Sequence, residues 1–210
     1  MNDLLLITPP FTQLNTPYPA TAYLKGFLNT KSISSHQVDL GIEVILEIFS
    51  KSGLTKLFNR VQNNSVKLSK NGQFIFDNRS VYQNTIDDCI GFLQGNKPEL
   101  TNPILSLSYF PAASRFDHFD ENDWSFTSME KPNRSKHIAT LYLEDLSDFI
   151  VEAIDENFGF SRYAERLGRS ANSFDSLHEN LQLTPTFVDE ISLKLLTQKL
   201  KEHKPKMVCF

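Results

Sequence analysis

Two cysteines, Cys89 and Cys209, are all that the 210 residues contain. So few, placed so far apart, exclude a disulfide framework and suit a reducing, cytoplasmic compartment. Long hydrophobic runs are missing too. No apolar stretch reaches the roughly 18 residues that a membrane-spanning helix needs. The first apolar run starts at Leu4, directly after an acid, and is too short for the core of a signal peptide. There is no excess of positive charge: 21 basic residues face 25 acidic ones, a formal net charge of −4. That balance gives no drive toward nucleic acid or an anionic membrane. No Gly-x-Gly-x-x-Gly follows a strand, which argues against classical dinucleotide binding. No Ser-His-Asp, Cys-His or paired-carboxylate catalytic arrangement can be identified from spacing, and repeats and low-complexity segments are absent.

What is present supports a real core. Apolar residues make up 40% of the chain and phenylalanine alone contributes 17, enough for one large domain or two small ones. Leu4 to Ile7 are apolar without alternation, the pattern of a strand covered on both faces, as in a parallel sheet. Pro9 and Pro10 stop it, because proline cannot donate to the ladder. A helix is expected from near Pro19 through Phe27, a second strand over His36–Leu40, and a last strand over Met207–Phe210. Strand, polar loop and helix form the first half of a βαβ unit.

Most of the chain between the second and last strands reads as helix. Helical spacing covers Glu43–Phe49, Leu54–Val61 and Val81–Leu93, the last with Ile86, Cys89, Ile90 and Leu93 on one face and Gly95 as its stop. Asn71-Gly72, between Val66–Leu68 and Phe74–Phe76, reads as the turn of a small β-hairpin. Pro103–Phe110 is strand or helix, and its surroundings favour helix. Residues 111–136 read as a long loop anchored by Trp124 and Phe126. His137–Phe158 carries the clearest helical period, and Thr184-Pro185 reads as the start of a final helix ending near His203.

Candidate site residues cluster at strand ends, where open α/β sheets bind ligands. The loop from Thr8 supplies Thr8, Thr12, Gln13, Asn15 and Thr16, with backbone amides at the next helix start to hold a phosphate or the polar edge of a cofactor. An ordinary connecting loop is the competing reading. Asp39, before Gly41, could bind a ribose hydroxyl, or more simply cap a helix N-terminus. Arg162 and Arg166, with Arg169 and Tyr163, could clamp an anion, but pairing with Glu165, Asp155 and Glu156 is the plainer account. Asp117, His118, Asp120, Glu121 and Asp123 resemble a metal cluster. The calcium-loop pattern is not met, however, and a solvated acidic loop accounts for them better. Cys89 and Cys209 read as small buried hydrophobes.

The opening LLLITPPFTQLNTPYPATAYLKGFL resembles the start of the N-terminal cobalamin-binding-type domain of radical S-adenosylmethionine (radical SAM) proteins. There a strand ends in a Pro-Pro pair and a proline turn leads into a small-residue helix, places matched by Pro9, Pro10, Pro17 and Pro19. HQVDLGIEVI resembles the family's second strand with its acid and glycine, here Asp39 and Gly41. LKEHKPKMVCF resembles a helix end, Lys-Pro turn and third strand. The likeness covers residues 3 to 50 well and thins toward 185. Two family motifs are absent: Asp-x-His-x-x-Gly, which ligates cobalt, and Cys-x-x-x-Cys-x-x-Cys, which holds the cluster.

The resemblance implies an α/β fold with a small parallel Rossmann-like sheet, formed by 1–41 and 204–210, and a large, mostly helical insertion over 42–203 between strands 2 and 3. It implies a domain that covers a radical SAM active site. Cobalamin would be held without a histidine ligand, over Thr8, Pro9, Pro10, Thr12, Asn15, Thr16, Asp39 and Gly41. A [4Fe-4S] cluster and S-adenosylmethionine would belong to a downstream domain. Because the chain ends on apolar Phe210, it is expected to be part of a longer protein, to pair with that domain, and to self-associate without it. Phe49 and Tyr109 are expected to wall the site. The competing reading is a non-enzymatic interaction module, marked by an apolar patch on Val81–Leu93 or His137–Phe158.

Overall fold

The computed structural model describes residues 3–10, 19–156, 158–160 and 174–210. It is α/β and mostly helical. The order is β1 (Leu4–Thr8), α1 (Ala20–Thr30), β2 (Ser35–Asp39), α2 (Leu40–Ile48), α3 (Lys51–Asn63), α4 (Lys70–Asp77), α5 (Arg79–Leu93), α6 (Thr101–Leu105), α7 (Trp124–Thr127), α8 (Lys131–Ala153), α9 (Asp175–Leu181), α10 (Phe187–His203) and β3 (Met207–Cys209). The three strands are parallel, in the order β2-β1-β3. The expected neighbours and the central place of the first strand are therefore found. Leu5 lies opposite His36 on one side and Val208 on the other.

The unbroken apolar run of β1 follows from cover on both faces. Leu5 and Ile7 join Val38 and Leu40 in a cluster closed by Leu195, Leu196 and Leu200 of α10 and by Val208. Leu6 and Thr8, alternating with them, face the α1 side, where Ala20, Thr21 and Leu24 meet them. Helix α10 starts at Thr186 rather than Thr184. The Thr186 hydroxyl accepts from the Asp189 amide, and the Asp189 carboxylate accepts from the Thr186 amide, closing a capping box that Thr184-Pro185 lacks. Lys194–Glu47 and Lys199–Glu43 ion pairs, both 3.0 Å, link α10 to α2.

Two compact units divide the chain: Met1–Glu47 with Asn157–Phe210, and Ile48–Glu156. These boundaries differ from the expected 41/42 and 203/204. The leucines of α10 are part of the sheet's own core, so that helix stays with the sheet.

In the Ile48–Glu156 unit, Leu54, Leu57, Phe58 and Val61 of α3 are buried at helical spacing. The hairpin expected around Asn71-Gly72 is instead helix α4. Ser69 caps it by accepting from the Gly72 amide, and Glu152 of α8 accepts from the Ser69 backbone amide and, at 2.9 Å, from its hydroxyl. A Cβ on Gly72 would lie 2.7 Å from Glu152 Oε2, so this glycine serves a close approach, not a turn. Tyr82, Ile86, Cys89 and Phe92 form the buried face of α5. Tyr142 stacks between Tyr82 and Phe110, with ring centroids at 5.2 and 4.4 Å. Helix α8 begins at Lys131, before the expected His137, and ends at Ala153. The stretch expected as loop thus holds a 3₁₀ turn, α7 and the first turns of α8. Phe126 anchors it as expected; Trp124 does not, being 81% exposed.

That stretch is tied down by Asp145, which is fully buried in α8. Its carboxylate accepts the Ala113 amide at 3.0 Å and the Arg115 amide at 2.9 Å. Burial dominates those two bonds and pushes the carboxyl up to about 6. Between its ordinary value and about 6, the folded chain holds a proton that the unfolded chain releases. Stability therefore falls as pH rises through that window and levels off above it. Asp145→Asn is expected to flatten this slope when urea midpoints are compared at pH about 4.5 and about 7. It is also expected to cost roughly 1–3 kcal/mol at the lower pH, because the amide nitrogen cannot accept an N–H. An unchanged slope would place the titration elsewhere.

Candidate functional site at the carboxyl end of the sheet

A cleft of about 250 Å³ opens at the carboxyl ends of β1 and β3, lined by Leu6, Ile7, Thr8, Pro9, Ala20, Thr21, Leu24, Cys209 and Phe210. Its position follows from the strand order. The chain leaves β1 toward β2 on one side and reaches β3 on the other, so β1 and β3 flank the point where the order reverses. Open parallel sheets leave a crevice there, because the connections on either side run apart.

The cleft is largely apolar, with one hydrogen-bonded chain in its wall. The Gln37 side-chain amide donates to Thr21 Oγ1 at 2.8 Å, and Thr21 Oγ1 lies 3.3 Å from Thr8 Oγ1. Gln37 faces the same side of the sheet as Leu6, its partner in register, which places the amide beside α1. Thr8 is only 2% exposed.

Thr8 and Pro9, of the residues expected from the sequence, line this cleft; Pro10 does not. Thr12, Gln13, Asn15 and Thr16 lie outside the described residues. Asp39 and Gly41 do not line it. No turn separates β2 from α2, which begins at Leu40, so Gly41 is buried inside the helix. Asp39 Oδ1 accepts the Ile42 amide at 3.1 Å, the capping role. Phe49 is buried and Tyr109 donates to Asp88 at 2.6 Å; neither lines the cleft. Sequence reasoning missed Ala20, Thr21, Leu24, Cys209 and Phe210. Parallel pairing of β3 with β1 is the signal that brings the last two beside Thr8.

A second cleft, of about 360 Å³, lies in the Ile48–Glu156 unit between Arg115, His118, Phe119, Asp120, Asp123 and His137. Its charged groups are engaged in local structure. Arg115 forks onto Asp148 at 2.6 and 2.7 Å. Asp120 accepts from the Asn122 amide, and Asp123 from Ser125, whose hydroxyl holds the Asp123 carboxyl below its ordinary value. Among the described residues, no group of three His, Cys, Asp or Glu is placed to hold a metal ion. Arg162, Tyr163, Glu165, Arg166 and Arg169 lie outside the described residues.

No family model, curated protein or solved structure matches this chain.

The two cysteines differ sharply in environment. Cys89 is fully buried, and burial, with Asp88 nearby, pushes its thiol well above the ordinary range. Cys209 is half-buried at the cleft. Iodoacetamide is expected to add one label per native chain, at Cys209, and two in denaturant, read by intact mass. Equal labelling of both thiols in the native chain would contradict this packing.

Proposed function

We propose that this chain is the N-terminal cobalamin-binding-type domain of a radical SAM protein, which covers the active site of that protein's barrel. In this reading the strands are a Rossmann-like portion, and the helices from Ile48 to Glu156 are an insertion between β2 and β3. The observation that carries it is the parallel β2-β1-β3 order, with its cleft at the β1/β3 reversal beside Thr8 and Pro9. The strand ending in Pro9-Pro10 is the one that the order places at the centre.

Cobalamin fits this edge in one way. The cleft falls below the roughly 300–1,000 Å³ of pockets that bury a drug-sized ligand, so a corrin ring cannot enter it. Pro9 and Phe210 both line it, and Phe210 is 75% exposed. A flat ring would rest on Pro9, Cys209 and Phe210. The [4Fe-4S] cluster and S-adenosylmethionine are assigned to a further domain, since two cysteines cannot supply three thiolates.

Exposed apolar side chains support pairing with that domain, or between copies in its absence. They do not lie where the competing reading needs them. On α5 only Val81 is a large exposed hydrophobe, and α8 has none. Tyr23, 77% exposed, and Phe27, 59% exposed, stand instead on α1, with Leu24 between them. Among the described residues no helix is long and apolar enough to cross a membrane.

Titration with hydroxocobalamin tests the reading. The chromophore is expected to stay with the chain through gel filtration and to slow alkylation of Cys209, because a ring resting on Pro9, Cys209 and Phe210 would cover the thiol. Free chromophore together with unprotected Cys209 would overturn the cobalamin assignment.

A further inference from the structure

Two of the five histidines lie face to face. His36 of β2 and His203, the last residue of α10, stack with ring centroids 3.8 Å apart and planes at 25°. His36 is opposite Leu5 in register, so its ring stands on the face that α10 covers, and both rings are half-buried. Such a stack is stable with one proton on the pair. With two, like charges sit in contact and repel. The surroundings accommodate the first proton and resist the second. His203 lies where the carbonyls of α10 favour a cation, with Glu202 Oε1 3.8 Å from its Nε2. Around His36 stand Lys25 of α1 and Lys199, Glu202 and His203 of α10, and Lys199 is itself paired with Glu43 of α2. Burial first, then His203 and Lys25, hold His36 below its ordinary value, while Glu202 acts the other way.

The chain turns directly after the stack. Lys204 has a φ of 43°, left-handed and costly without glycine, and its amide donates to the Leu200 carbonyl at 2.9 Å. Beyond Pro205, the Lys206 and Met207 amides both donate to the Asp3 carbonyl at 3.1 Å, and Lys206 pairs with the Asp3 carboxylate at 2.6 Å. Strand β3 then pairs with β1 over three residues. So short a strand, entered through such a turn, depends on the end of α10 staying in place.

We propose that the His36–His203 stack is an acid-operated latch, which holds the C-terminal end of α10 and the turn into β3 against β2 until both rings are protonated, and then releases them. The stability it supplies is complete above the ordinary histidine value of 6.5 and is lost as pH falls through the lower value of His36. This sign is opposite to that of Asp145, which lies in the other unit, so signals from the two are separable.

The test is an NMR titration of the full chain from about pH 8 to about pH 5, following histidine ring protons and backbone amides together. The His36 ring is expected to titrate below the ordinary value. The amides of residues 200–204 and of Met207–Cys209 are expected to shift with the His36 midpoint. His203→Phe keeps a ring in the stack and removes its charge. It is expected to raise the His36 midpoint toward the ordinary value and to abolish the amide shifts, neither of which a merely structural ring would do. A native His36 that titrates at the ordinary value overturns the proposal. So do amides that stay unmoved through its midpoint, or shifts that persist in His203→Phe. If His203→Phe does not fold, the native titration alone decides between these outcomes.

Discussion

A parallel strand paired along both edges must be covered on both faces, and β1 meets that demand with only five residues. Its backbone is spent on β2 and β3. Leu5 and Ile7 need apolar cover on one face, which the leucines of α10 supply. Leu6 and Thr8 need cover on the other, the α1 side, and both are buried at 2% exposed. Thr8, the polar residue of the strand, has its buried hydroxyl 3.3 Å from that of Thr21.

The same constraint locates the site. With β1 in the middle, connections depart to opposite sides, and the crevice between β1 and β3 is a product of topology. Its described lining is mostly apolar, from Leu6, Ile7, Ala20 and Leu24, with the hydroxyls of Thr8 and Thr21 and the half-buried thiol of Cys209 as its polar groups.

β1 was legible because its burial on both faces leaves an unbroken apolar signature, and the order β2-β1-β3 followed from the handedness of crossovers. Thr8 and Pro9 were legible as a strand end. Asn71-Gly72 misled, because its turn propensity is local, whereas the cap from Ser69 and the grip of Glu152 are made in three dimensions. Asp39 and Gly41 misled for a related reason: a capping acid lets β2 pass straight into α2, leaving no turn to hold a ligand. Cys209 and Phe210 belong to the far end of the sequence, and only strand pairing brings them to Thr8. Thr21 and Gln37 carried no signal at all. A threonine in a helix and a glutamine in a strand become hydrogen-bonded partners only once β2, α1 and β1 are assembled.

The central claim is that β1 is flanked on both sides by parallel strands. Isotope-edited NOE spectroscopy tests it most directly. The amides of Leu5 and Leu6 are expected to show cross-strand contacts to residues around His36 and Gln37 and, equally, to Val208 and Cys209. Contacts to one neighbour alone, or none to residues 207–209, would place β1 at an edge. That result would remove the switch point, and with it the site.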